Sequence, residues 1–459
     1  MNVSIILAAG EGTRMKSKLP KVLHKICGKP ILEYVINASK DANVQKNVVI
    51  IGHGGDKVKE YFKDKDVYFE TQPIGEGAPY GTGYAVMQGL KHIDDDSTVM
   101  VLCGDTPLIT KDTINKLFDY HKKGEYVCTV LTAVLDDPTG YGRIIRDDIG
   151  NISKIVEQKD ATEDETIVNE INAGVYCFTG KMLKYGLKNI NSDNAQGEFY
   201  LTDVVEILRN EGYNVGAYII EDPVEIHGIN NRVQLSFSEK VMRNRINVHH
   251  MLNGVTMVDP DSTYIEEGVT IGSDTIIYPN SFIEGDTIIG ENSIIRSNSR
   301  IVNSRINDGV VIESSLIEDS IVECGTKIGP NAHLRPKSHI GKNVKIGNFV
   351  ETKNSTIGDN SKAGHLAYIG DAVIGTNVNI GCGVIFVNYN GKDKQVTTVG
   401  NNAFIGSNSN LVAPVKIHDW AYIAAGSTIN EDVEEGALSI ARAQQVNKLG
   451  WVDKKGFKK

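Results

Sequence analysis

Six cysteines, twelve prolines, two tryptophans and no long apolar run mark this 459-residue chain by what is scarce in it. Cys27, Cys103, Cys128, Cys177, Cys324 and Cys382 form no Cys-x-x-Cys pair and no zinc spacing. That excludes a disulfide framework and a zinc finger and fits thiols kept reduced. No window approaches the ~20 apolar residues that span a bilayer. The apolar stretch Val3 to Ala9 has no basic flank and is too short for a signal-peptide core. A cytoplasmic protein without a membrane partner is expected. Basic charge is also short, since 48 Lys and Arg against 58 Asp and Glu leave a formal net charge of -10. Duplex binding rests on neutralising phosphates, so a general nucleic-acid surface is excluded, and any phosphate ligand must meet a local basic cluster. With 41% hydrophobic residues the chain is an ordered globular one, long enough for two or three domains.

Two halves of the chain carry different periods. Up to about Gly228, β-rich runs (Val3 to Leu7, Val48 to Ile51, Thr98 to Leu102, Val127 to Thr132) alternate with helix-compatible runs (Ile31 to Ser39, Tyr84 to Leu90, Thr113 to His121). The alternation predicts an α/β domain: a doubly wound, Rossmann-like, largely parallel sheet with ligands at the C-terminal ends of its strands. After about residue 251 a six-residue spacing takes over at Ile265, Ile271, Ile277, Ile283, Ile289, Ile295 and Ile301. It resumes out of phase at Ile328, Leu334, Ile340 and Ile346, at Ile357, Ala363 and Ile369, and from Val399 to Ile429. Six residues advance an α-helix by about 600°, so no helix keeps this repeat on one face. Short strands joined by corners do, each turning one aliphatic residue inward, and stacked coils bury a continuous all-β core. The chain therefore divides into an α/β domain at 1–229, a glycine-free, helix-prone connector at 230–251, and a solenoid with a short tail at 252–459.

Leu7-Ala8-Ala9-Gly10-Glu11-Gly12-Thr13-Arg14-Met15 follows the first strand, where backbone N–H groups can wrap phosphate. It is neither a Walker A loop nor G-x-G-x-x-G, because Met15 stands at the third glycine, and a glycine pair also serves as a plain turn. Leu19-Pro20-Lys21-Val22-Leu23, Gly28-Lys29-Pro30 and Cys103-Gly104-Asp105-Thr106-Pro107-Leu108 extend the pattern. Phosphoryl transfer needs positioning and charge neutralisation more than covalent chemistry, so backbone donors, a lysine and a metal-binding carboxylate are the useful groups. Asp105 follows the run Thr98 to Leu102, at the strand end where such domains hold ligands. A carboxylate there suits Mg²⁺, although an aspartate also caps turns.

The set resembles the sugar nucleotidyltransferases, whose pattern reads LAAGxGTRM, PKxL, GKP, GDxPL. The resemblance implies Mg²⁺ on Asp105 and on Asn230 of Gly228-Ile229-Asn230-Asn231-Arg232, with Arg14 and Lys21 acting on the nucleotide phosphates. It sets Leu7, Ala8, Ala9, Gly10, Gln72, Gly81 and Thr82 around uracil and ribose, and Gly140, Glu157, Asn172 and Asn230 around the sugar. The family has a short run between its glutamine and Gly-Thr-Gly; here Pro73 to Tyr80 intervene.

In the solenoid, Arg335 and Lys353 each directly follow a core position of the same phase, Leu334 and Thr352. In a coil of three six-residue sides they stack one strand spacing apart, about 4.8 Å. Like charges so placed repel unless they splay into water or share an anion. His365 comes two residues after the core position Ala363 and is expected off the interior, with Glu351 on the preceding coil to orient the imidazole and raise its basicity. The rhythm lapses between Phe386 and Val399, and the lapse holds Asn388-Tyr389-Asn390-Gly391-Lys392-Asp393-Lys394. Such a loop carries binding groups or is a tolerated insertion.

These stretches (RP at 335–336, FVETKNS, KAGHLAYIGD, NVNIGCGVIFVNYNGKDK, IGSNSNLVAPV, YIAAGS) resemble the acetyltransferase half of the bifunctional N-acetylglucosamine-1-phosphate uridyltransferase/glucosamine-1-phosphate N-acetyltransferase family. With the first half, the likeness covers nearly the entire chain. It implies a left-handed parallel β-helix of hexapeptide repeats, assembled as a homotrimer with sites between subunits, and His365 as the base. It assigns Arg335, Lys353, Tyr368, Asn379 and Lys394 to the sugar phosphate, and Cys382, Asn388, Tyr389, Ser407, Ala425 and Arg442 to acetyl-CoA. The implied reactions are acetylation of glucosamine 1-phosphate by acetyl-CoA, then Mg²⁺-dependent uridylyl transfer from UTP. Pyrophosphate leaves, and UDP-N-acetylglucosamine feeds cell-wall synthesis. Two other readings share the domain order. A nucleotidyltransferase with the solenoid as scaffold is opposed by His365, Glu351 and the Asn388 loop. A regulatory subunit like those of a translation initiation exchange factor is opposed by Arg14, Lys21, Asp105 and Asn230.

Overall fold

The computed structural model describes residues 1–75 and 77–457 and falls into two compact units, Met1–Met242 and Arg243–Lys459. The helix Arg232–Leu252 begins in the first unit and ends in the second. Asn231 starts it: its side-chain oxygen accepts the Gln234 N–H at 2.9 Å, the capping that short polar residues give a helix N-terminus.

In the first unit the strand Asn2–Ala8 runs parallel to Lys46–Ile51 on one side and to Thr98–Cys103 on the other. The expected helices are found at Ile31–Asp41, Thr82–Met87 and Lys111–Lys123. The middle one is shorter than its apolar pattern, because Gly89 follows it and glycine disfavours a helix interior by about 1 kcal/mol. The sheet is mixed rather than nearly all parallel. Glu170–Thr179 lies antiparallel between Thr98–Cys103 and Cys128–Val134, and the hairpin Arg143–Arg146/Ile152–Val156 joins it. Side-chain alternation is the same in both strand directions, so the sequence pattern carries no cue to this reversal. A bulge between Asn172 and Tyr176, where Gly174 has φ 73°, bends that strand at the pocket described below. The core packs Ile5, Val48, Ile50, Val101, Val130 and Phe178 of the sheet beneath Val86, Leu183, Val204 and Leu208.

The second unit is a left-handed parallel β-helix with three faces, of 11, 10 and 9 strands among the described residues. Ile271 pairs with Ile289, Ile277 with Ile295 and Ile283 with Ile301, so the isoleucine ladder is the wall of a buried core. The stretch where the six-residue spacing breaks is continuous in space. Ile306, Ile312, Ile317 and Val322 are buried there, on sides that shorten to five residues, as between Ile301 and Ile306 and between Ile317 and Val322. Pairing to the coil below, not residue count, fixes which side chain turns inward, and the corner absorbs the missing residue. Asn303, Ser314 and Asp319 take these shortened corners at φ 45°, 41° and 41°, and Asn280, Asn292, Asn298, Asn343 and Asn360 take six-residue corners at φ between 54° and 61°, left-handed conformations that asparagine tolerates. Ile374 pairs with Val399 and Phe386 with Leu411, so the coils stack straight across the extruded loop. Among the described residues no helix is long and apolar enough to cross a membrane.

Candidate active sites

The strand Asn2–Ala8 ends at the switch point of the first unit's sheet, where its two neighbours carry the chain to opposite sides and leave a crevice. The following loop turns through Gly12 at φ 64°, and a Cβ on it would lie 2.7 Å from the Cβ of Lys21. The bare glycine lets Lys21 reach inward. Its ammonium donates to Asp105 Oδ2 at 2.5 Å and to Asn230 Oδ1 at 3.2 Å, and Arg14 Nη2 donates to the same amide oxygen at 3.0 Å. Residues from three distant stretches of the chain thus share one polar knot.

On one side of the knot lies a cleft of about 220 Å³, lined by Leu7, Ala8, Ala9, Gly10, Gln72, Gly81 and Thr82. Gly81 has φ 117°, and a Cβ there would sit 2.4 Å from the carbonyl oxygen of Phe199. Gln72 is 3% exposed, yet its side-chain amide has no hydrogen-bond partner among the described residues. The residues Pro73 to Tyr80, of which Glu76 lies outside the described ones, leave Gln72 and Gly81 on the same cleft. Tyr80 and Glu198 also line it, and burial raises the pKa of both. No spacing in the sequence ties residue 198 to residue 72, so pattern reading misses Glu198.

On the other side a hollow of about 370 Å³ is lined by Arg14, Asp105, Gly140, Glu157, Asn172 and Asn230. Burial raises the Glu157 pKa, opposed by a hydrogen bond from Thr202 Oγ1 at 3.4 Å. Asn172 is held at both ends: its oxygen accepts the Gly174 N–H at 3.0 Å, and its amide donates to the Tyr176 hydroxyl at 2.7 Å.

In the solenoid, Arg335 and Lys353 stand on adjacent coils as their spacing predicts, with the Arg335 N–H donating to Thr352 O at 2.9 Å. Lys394 of the extruded loop comes to Lys353, and this contact lowers the Lys394 pKa. The buried Asp371 accepts from Asn354 Nδ2 at 2.7 Å and from Asn388 Nδ2, which also lies 3.4 Å from the Tyr368 hydroxyl. One corner therefore gathers Lys353, Tyr368, Asn388 and Lys394. Tyr389 is exposed in the loop, its hydroxyl donating to Gly391 O at 2.7 Å.

His365 is exposed at the end of the strand Lys362–His365. Ala363 pairs with Ile380, Ile380 with Ile405, and Ile405 with Ile423. Cys382, Ser407 and Ala425 therefore repeat the position of His365 on successive coils, one column along one corner. Main-chain bonds stitch that column, from Asn408 N–H to Cys382 O at 2.7 Å and from Gly426 N–H to Ser407 O at 2.8 Å. Arg442 ends it, its Cδ 3.9 Å from where a Cβ on Gly426 would be.

Two side chains have other neighbours than expected, Glu351 from its coil position and Asn379 from the resemblance. Glu351, expected beside His365, accepts from Arg335 Nη1 at 2.8 Å instead, and the neighbour of His365 on the preceding coil is Asn348. Glu351 opens the next face of the coil, where its neighbour on the following coil is Tyr368. Arg335 thereby gains a carboxylate within the chain. Asn379 stands on the first face, paired with Lys362 and Phe404, while the Lys353 corner belongs to the second.

An α/β fold with a polar knot at its switch point, followed by a hexapeptide solenoid with its own polar corner, defines a two-module transferase. The nucleotidyl transferase family model matches residues 3–223, the bacterial transferase hexapeptide (six repeats) model residues 268–303 and 397–431, and the GMPPB C-terminal domain model residues 316–390. The chain is 54% identical over 456 residues to the bifunctional protein GlmU of Clostridioides difficile strain 630, covering 99% of this chain and 98% of that one. To the bifunctional protein GlmU of Clostridium botulinum strain ATCC 19397 it is 53% identical over 459 residues (100% and 99%), and to that of Alkaliphilus metalliredigens 52% over 456 residues (99% and 99%). The chain belongs to the bifunctional GlmU family. It carries a uridyltransferase in its first unit and an acetyltransferase in its second.

Proposed function

We propose that the second unit acetylates glucosamine 1-phosphate with acetyl-CoA and that the first unit joins the product to UTP, yielding UDP-N-acetylglucosamine for cell-wall synthesis. The convergence of Arg14, Lys21, Asp105 and Asn230 between two hollows carries the second step. The unpaired Gln72 amide offers one donor and one acceptor, the complement of a uracil imide edge. Backbone N–H groups of the glycine loop, with Arg14 and Lys21, neutralise the triphosphate, and Gly140, Glu157, Asn172 and Asn230 hold the sugar. A phosphate oxygen of N-acetylglucosamine 1-phosphate attacks the α-phosphorus, and pyrophosphate leaves. Asp105 and Asn230 already turn two oxygens toward one cation, the Lys21 ammonium, which suits Mg²⁺, a metal that takes few protein ligands beside water and substrate phosphate. Bound there, Mg²⁺ supplies further charge neutralisation on the phosphates.

At the solenoid, Arg335, Lys353 and Lys394 receive the sugar phosphate beside Tyr368. His365 accepts the proton that the glucosamine amine loses as it attacks the thioester carbonyl. The column Cys382, Ser407, Ala425 to Arg442 gives coenzyme A a line to lie along, with Asn388 and Tyr389 at its flank. Asn379 is on a different face from Lys353, which favours a site completed between copies in a homotrimer. The enzyme works in the cytoplasm on these small molecules, without nucleic acid or membrane. One assay tests the reading: thiol from acetyl-CoA with glucosamine 1-phosphate, and pyrophosphate from UTP with N-acetylglucosamine 1-phosphate. Pyrophosphate without thiol would leave the solenoid a scaffold, and neither product would leave a binding subunit.

A further inference from the structure

Arg143 opens the strand Arg143–Arg146 and is 2% exposed, yet it forms no ion pair among the described residues. A buried cation without a contacting counter-charge is costly unless its donors are satisfied, and Asp137, its pKa lowered first by hydrogen bonds from Thr139, is near enough for the Arg143 charge to lower it further. Arg143 Nε donates to Thr166 O at 3.4 Å, Nη1 to Tyr141 O, and Nη2 to Gln158 Oε1 at 2.9 Å. The same Gln158 oxygen accepts the Gly140 N–H at 2.9 Å. Gly142 O in turn accepts the Asn172 N–H at 2.9 Å. One guanidinium therefore fastens the turn Gly140 to Gly142 to the segment directly after Glu157. Neither Arg143 nor Gln158 lines the hollow, whereas Gly140, bonded to Gln158, Glu157, next to Gln158, and Asn172, bonded to the residue before Arg143, all do.

We propose that Arg143, acting through Gln158, is a positioning residue for the sugar 1-phosphate. It sets the turn that meets the sugar from behind the hollow. This deepens the reading of that hollow as the sugar-phosphate site and rests on it. An arginine that only held the fold together would affect stability and both substrates alike.

The test uses the purified full chain, titrating N-acetylglucosamine 1-phosphate at saturating UTP and the reverse. Gln158→Leu removes the shared acceptor and leaves the buried cation, and Gln158→Glu restores an acceptor. Gln158→Leu and Arg143→Lys are expected to raise KM for the sugar phosphate about tenfold and to leave KM for UTP within about twofold, with Gln158→Glu close to the parent. An unchanged sugar-phosphate KM in folded Gln158→Leu, an equal rise in both KM values, or loss of folding in both Gln158→Leu and Arg143→Lys would overturn the proposal. Absence of pyrophosphate release by the unsubstituted chain is a different result and would overturn the assignment of the hollow itself.

Discussion

Lys21 and Asp105, 84 residues apart, meet at 2.5 Å with side chains 13% and 23% exposed. In the free protein each is the other's counter-charge at the mouth of two hollows. Under the proposed function, a nucleotide phosphate on Lys21 and a divalent cation on Asp105 would replace both partners of this neutral pair at once.

Asp105→Ala is expected to abolish pyrophosphate release and to spare thiol release, and Asp105→Asn to lower the first rate by about 10²–10³, the range for removing one preorganised electrostatic group. Parallel loss of both activities in a folded variant would contradict the division of labour between the units.

The complementary substitution is His365→Ala. Loss of a general base lowers a rate by about 10²–10⁴, so thiol release should fall by that much while pyrophosphate release stays at the parent rate. Asn348→Ala, at the neighbour of His365 on the coil below, should reduce thiol release more than it alters the melting temperature.

His121 is a pH sensor of stability in the first unit. Burial pushes its pKa down to about 4, with Lys122 adding repulsion, and its Nδ1 lies 2.9 Å from Thr129 Oγ1. A histidine with a lowered folded pKa binds fewer protons than the unfolded chain, so its contribution is complete above about pH 6.5 and is lost as pH falls toward 4. The loss amounts to roughly 3 kcal/mol. Burial lowers His24, His227 and His250 in the same direction. Denaturant midpoints between pH 4 and 7 should fall less steeply in His121→Gln; an identical slope would remove His121 as the cause.

In the solenoid, Ile317→Ala and Ile340→Ala should each cost about 2–5 kcal/mol, because both isoleucines are fully buried. Ile317 lies where the six-residue spacing fails and Ile340 where it holds, so similar losses would establish one continuous core. Ile321→Ala, at an exposed position, should stay within about 0.5 kcal/mol. Chemical denaturation followed by tryptophan-independent circular dichroism checks all three.

The sequence alone determined the two modules and pointed to most of the polar residues that gather in the candidate sites. A glycine-rich turn after an apolar run, and isoleucine at every sixth place, are local patterns set by strand geometry, and they need no distant contact to be legible. Pairing was beyond it. The antiparallel Glu170–Thr179, Glu198 beside Gln72, and Arg143 behind Gly140 depend on which strands become neighbours, and side-chain alternation is blind to that. That Asn348 rather than Glu351 lies under His365, with Glu351 bonding Arg335, depends on which face of the coil each residue joins, and only the stacked hydrogen bonds of the tertiary structure fix that.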